Sequence, residues 1–133
     1  MRFMLDTDTC IALIKRKPAK ILRRLTSLEA GEAGVSAVTL AELRFDVAKS
    51  AERERNSQAL DEFLLPLEIA DFDEAAAGSY GAVRSSLESS GTPIGPLDTL
   101  IGAHALSLDA ALVTHNAREF RRIPGLAVED WLV

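Results

Sequence analysis

The sequence predicts an α/β fold, a three-layer α/β/α sandwich with a mostly parallel central sheet. Two observations predict it. Short apolar runs alternate along the chain with longer segments of helical periodicity, the pattern that puts helices on both faces of a parallel sheet. The length, 133 residues, suits one domain over residues 1–133 and is enough to bury a sizeable core. No repeat, linker or low-complexity segment divides the chain.

Each element follows from local chemistry. Phe3–Leu5 is a short apolar run ended by Asp6, which suits a buried strand. Thr7 or Asp8 is the expected cap of a helix carrying Ile11, Ala12, Leu13 and Ile14. Pro18 interrupts it, and a second helix runs through Leu22, Leu25 and Leu28. After a turn at Glu29–Gly34, residues 34–38 read as a second strand. Thr39 is the expected cap of a helix repeating at Leu40, Leu43 and Val47, with Glu42 in its first turn. Another helix ends near Leu65, before Pro66, and Leu67–Ala70 is a third strand. Asp73–Glu88 is a long helix whose Asp71, Asp73 and Glu74 read as capping acids. Residues 89–96 hold two prolines and two glycines and form a loop. A helix over Leu97–Leu108, a strand over Ala110–Val113, a short helix around Arg118–Arg122 and an edge strand at Leu126–Val128 complete the series.

Composition sets outer limits on function. The chain carries 15 Lys+Arg against 20 Asp+Glu, a formal charge of -5. That balance argues against coating nucleic acid with a broad basic face, but not against handling RNA at one small site. The single cysteine, Cys10, can make neither an internal disulfide nor a Cys-rich zinc site, which fits a reducing cytoplasm. No stretch approaches the ~20 apolar residues of a membrane span, and Asp6 interrupts any signal-type apolar region.

Acids gather where a parallel sheet binds its ligands, beyond the carboxyl ends of its strands. Asp6 follows the first strand, Glu42 the second, and Thr114, Asn116 and Glu119 the fourth. Asp98 opens the helix that leads into that fourth strand. Clustered carboxylates raise one another's pKa and suit hard divalent cations such as Mg²⁺ or Mn²⁺. Such ions support phosphodiester hydrolysis. Each residue also has a plainer role: Asp8 as a cap, Glu42 and Asp98 as first-turn acids, Asn116 as a turn residue. Glu119 could pair on the surface with Arg118, Arg121 or Arg122, and His104 and His115 read as structural.

Four motifs together carry a family resemblance. Met4-Leu5-Asp6-Thr7-Asp8, Ser36-Ala37-Val38-Thr39-Leu40-Ala41-Glu42-Leu43, Pro96-Leu97-Asp98-Thr99-Leu100-Ile101-Gly102-Ala103-His104-Ala105 and Leu112-Val113-Thr114-His115-Asn116-Ala117-Arg118-Glu119-Phe120 resemble, in order, the motifs of PIN-domain proteins. The tail from Arg122 to Trp131 is similar to the ending of VapC toxins. The resemblance implies a PIN-like sandwich and the toxin of a type II toxin–antitoxin pair. It implies an Mg²⁺-dependent endoribonuclease, with Mn²⁺ able to substitute, acting on tRNA and on the initiator tRNA anticodon loop as a first guess. By position, Asp6 and Asp98 would bind metal and Glu42 and Glu119 would complete the catalytic set. Thr114, Ser36, Asn116 and Asp8 stand beside them; Asn116 replaces a frequent aspartate, and Asp8 a frequent asparagine. Expected partners are a VapB-like antitoxin protein, seated on the apolar faces of the helices in residues 9–65, and a second copy of the chain. Operator DNA would be reached only through the antitoxin.

Two other readings compete. Asp6-Thr7-Asp8-Thr9 also resembles the nucleophile strand of haloacid-dehalogenase-type phosphatases, although Cys10 departs from that motif. Loss of an acid at Asn116 would suit a catalytically weak binding module. Residues 9–28 hold six bases, Lys15, Arg16, Lys17, Lys20, Arg23 and Arg24, and no acid. This window is either a solvated helix face or a place for RNA phosphates.

Overall fold

The computed structural model describes residues 1–133 and contains five strands and seven helices. In chain order they are β1 (Phe3–Leu5), α1 (Thr7–Lys15), α2 (Ala19–Thr26), β2 (Ala33–Ser36), α3 (Ala37–Lys49) and α4 (Arg53–Leu64). Then come β3 (Glu68–Ala70), α5 (Glu74–Ser89), α6 (Pro96–Ser107), β4 (Ala111–Val113), α7 (Ala117–Phe120) and β5 (Val128–Glu129). The strands lie in the order β3-β2-β1-β4-β5, and every pairing is parallel. The expected sheet was mostly parallel; no antiparallel edge strand exists.

Alternation along the strands splits the core into the two outer layers of a sandwich. Phe3, Leu5 and Val113 join Leu13, Ile21, Leu43, Leu60 and Trp131 on one face. Met4 and Leu112, one residue out of phase, join Val83, Leu87, Ile101 and Phe120 on the other. This follows from the two-residue period of a strand. No helix is long and apolar enough to cross a membrane.

Several boundaries differ from the sequence expectation, and capping explains the most informative ones. Asp6, rather than Thr7 or Asp8, caps α1: its side chain accepts from the Thr9 N–H. Ser36, rather than Thr39, caps α3 through the Val38 N–H, so Ala37 and Val38 leave the strand and enter the helix. Glu42 therefore lies in the second turn of α3, where the helix dipole gives an acid less support. β5 falls at 128–129 and α7 at 117–120, shifted from the expected 126–128 and 118–122. Asp73 caps α5 as expected, accepting from the Ala76 N–H.

Gly34, in the middle of the sheet, has no room for a side chain: a Cβ there would overlap the Glu68 carbonyl oxygen and the Met1 side-chain tip. The carbonyl belongs to the neighbouring strand and cannot move without breaking the ladder. Gly34→Ala should destabilise the protein by about 1–3 kcal/mol, the usual range for overpacking. A urea titration should show the midpoint fall at unchanged slope.

Candidate active site

The strand order reverses at β1 and β4. β1 leads outward through β2 to β3, and the chain then returns to β4 on the other side. Ligands in open parallel sheets bind at such a switch, past the carboxyl ends of the strands. Asp6 ends β1 at that point and Thr114 ends β4.

Asp6 is 3% exposed and tightly fixed. Its Oδ1 accepts from the Thr9 N–H at 2.9 Å and its Oδ2 from the Thr114 hydroxyl at 2.5 Å. The Thr114 oxygen in turn accepts from the Asn116 N–H at 2.8 Å, so its one proton is committed to Asp6. Burial pushes the Asp6 carboxyl above its ordinary pKa; the bonds from Thr114 and Thr9 oppose the shift and the Asp8 charge adds to it.

Asp98 lies in the first turn of α6, after Pro96. Its carboxyl is raised to about 6, first by burial and then by the negative charges of Asp6, Glu42, Asp8 and Glu119. Acids from four separate segments therefore act on one another at this edge. Glu119 makes no ion pair with Arg118, Arg121 or Arg122, the plainer role the sequence left open. Glu42 is half-buried, and its Oε1 accepts from the Thr7 hydroxyl at 2.7 Å. Thr7 also lies 3.2 Å from the Thr39 hydroxyl. Sequence reasoning missed Thr7 as the residue that aims Glu42. Its place directly after the strand-end acid was the available signal.

The remaining sequence candidates occupy other roles. Ser36 caps α3 and its oxygen is 2.8 Å from His104 Nδ1, with both residues fully buried. His104 lies behind the site as a structural contact between α6 and α3, as expected. Asn116 precedes α7, but its side chain makes no cap bond. Asp8 is exposed at the rim. Lys15, Arg16, Lys17 and Lys20 are exposed on α1, the α1–α2 turn and α2.

No three of the His, Cys, Asp or Glu side chains converge closely enough to chelate one ion. The donor set is nonetheless suited to a hydrated hard cation. It is all oxygen, and Asp98 carries unrelieved like-charge repulsion. Mg²⁺ usually takes only one or two carboxylates and keeps several waters.

Comparison with known proteins places this geometry in a family. The PIN domain profile matches residues 3–126. The "tRNA(fMet)-specific endonuclease VapC" of Salmonella typhimurium is 44% identical over 131 residues, covering 98% of both chains. The chain belongs to the VapC ribonucleases of the PIN-domain family. The "Ribonuclease VapC2" of Rickettsia felis is 42% identical, again with 98% of each chain covered. Among solved structures, DNA-bound VapBC from Salmonella typhimurium superposes with a TM-score of 0.94, at 44% identity and 98% coverage of each chain. VapC membership replaces the phosphatase reading of the Asp6–Thr9 segment.

Proposed function

We propose that the chain is the toxin of a toxin–antitoxin pair and cleaves RNA with a divalent cation held by Asp6 and Asp98. The carrying observation is the set of acids around Asp98, whose mutual repulsion a cation would relieve. Asp6 and Asp98 are the direct ligands in this reading. Glu42, aimed by Thr7, and Glu119 would complete the acidic set in place of an acid at Asn116. Mg²⁺ is the expected ion, with Mn²⁺ as a substitute. A bound divalent ion supplies Lewis-acid polarisation of a phosphoryl oxygen and hydroxide at neutral pH. The protein's own contribution is rigidity: Thr114 and Thr9 lock Asp6 in one orientation, so little reorganisation is needed as charge develops.

The substrate proposed is tRNA, with initiator tRNA first, because the Salmonella relative is named for tRNA(fMet). The partner proposed is a VapB-type antitoxin, because similar structures are VapBC complexes. The groove between α1, α3 and α4, walled by Ile11, Ile14, Leu43, Val47 and Leu60, is an apolar seat for it. The compartment proposed is the cytoplasm, where buried Cys10 stays reduced.

End-mapping of cellular RNA after brief induction tests the activity. Discrete new 5′ ends in initiator tRNA are expected, reproduced by purified protein with Mg²⁺ or Mn²⁺ and suppressed by EDTA. Cleavage by the pure protein that EDTA leaves unchanged would overturn the metal-dependent reading.

A further inference from the structure

We propose that the cavity between α1 and the segment following β4 is a ribonucleotide subsite, with Arg16 gripping a phosphate and His115 reading the ribose 2′-hydroxyl. This inference rests on the RNA-cleaving reading and extends it to how the substrate is held beside the acids.

The cavity holds about 350 Å³, within the range of ligand clefts. It lies at the topological switch and adjoins the proposed metal site through Thr114, a lining residue whose hydroxyl donates to Asp6. Its apolar lining includes Ile21 and Trp131 and suits a base or the carbon face of a ribose.

Two polar groups give the cavity its chemistry. Of the six bases in residues 9–28, only Arg16 lines it. Arg16 is exposed and forms no ion pair, so its guanidinium is available to a phosphate. Arg24 is not free in this way: it pairs with Glu129 at 3.2 Å and lies over the Trp131 ring at 4.8 Å. His115 also lines the cavity, and its Nδ1 is 3.1 Å from Asp130 Oδ2. A carboxylate only accepts, so Nδ1 carries the proton, and in the neutral ring Nε2 is a bare acceptor. A ribose 2′-hydroxyl can donate to it and a deoxyribose cannot, which distinguishes RNA from DNA.

The subsite also resolves the tension between an acidic chain and an RNA substrate. Arg16, unpaired and at the cavity, gives local grip without a basic face.

Steady-state cleavage of a short RNA hairpin containing the mapped cut site tests the proposal, with single 2′-deoxy substitutions placed on either side of the cut. Arg16→Gln should raise KM about tenfold with kcat within about twofold, the signature of lost uniform binding. It should also flatten the salt dependence of log kcat/KM by about 0.7, one phosphate contact on a single strand. His115→Ala should raise KM for the all-ribose hairpin but not for the hairpin deoxy-substituted at the flanking nucleotide. Arg55→Gln, on α4 and outside the cavity, should change neither. An unchanged KM in Arg16→Gln, with Asp6→Asn inactive, overturns the subsite and leaves the ribonuclease reading standing. Absence of metal-dependent cleavage by the wild type overturns both. Weakened antitoxin binding in Arg16→Gln with unaltered RNA cleavage assigns the cavity to the protein partner and also overturns the subsite.

Discussion

Asp6→Asn should lower RNA cleavage by roughly a thousandfold while leaving the protein folded. The amide keeps the shape of the side chain and an oxygen for the Thr9 N–H, so the α1 cap survives. It removes the charge that makes Asp6 a cation ligand. Metal stabilisation of transition-state charge is worth several kcal/mol, and each 1.4 kcal/mol is tenfold in rate. Thr114→Val separates charge from aim: Asp6 keeps its charge but loses the 2.5 Å bond that orients it. A fall of about tenfold is expected, the cost of one hydrogen bond to a charged group. Initial rates on one RNA at saturating Mg²⁺, with circular dichroism as the folding control, give both comparisons. Asp6→Asn activity within tenfold of wild type would sink the proposed role.

The candidate acids were legible because strand ends can be read locally. The apolar run Phe3–Leu5 stops at Asp6, and the run before Thr114 stops at the fourth strand's end. In a parallel sheet those two ends are neighbours, and here Leu5 pairs with Val113. Asp98 was legible because Pro96 marks a helix start. Less legible was what each side chain does once there. Asp6 reads as a ligand candidate, and its second role as a cap displaces Thr7 and Asp8 from that task. Thr7, thus freed, turns its hydroxyl to Glu42, a contact across 35 residues. The Val35–Val38 stretch reads as one strand because all but Ser36 is apolar. The Ser36 side chain breaks it by binding the Val38 N–H, and this moves Glu42 one turn deeper into α3. The basic window looked uniform in sequence. Folding separates it, tying Arg24 to Glu129 and Trp131 and leaving Arg16 at the cavity.

The acids proposed to hold a cation should make the metal-free protein less stable, and Asp98→Asn should expose this as a reversal of rank. Asp98 titrates at about 6 in the folded chain against an ordinary 3.8, so folding favours its protonated form. Its contribution to stability is therefore fully present below pH 3.8 and is lost as pH rises through about 6. The shift is worth roughly 3 kcal/mol before screening, and about 1–2 kcal/mol for a half-exposed group. In EDTA at pH 8, Asp98→Asn should melt above the wild type by about 3–8 °C, and the gap should close by pH 4. Metal reverses the order. At a hundred times Kd a cation adds about 2.7 kcal/mol to the protein that binds it, and the variant gains little. The wild type should then melt above the variant at pH 8, a combined swing of about 4 kcal/mol. Scanning calorimetry of both proteins, with EDTA and with Mn²⁺ at each pH, measures all the quantities involved. Equal melting of the two proteins in EDTA at pH 8 would show that the acids do not strain the fold. An equal Mn²⁺ response would show that Asp98 is not a ligand. On the proposed reading, stability is given up for function: the charges that repel one another without an ion are those proposed to hold it.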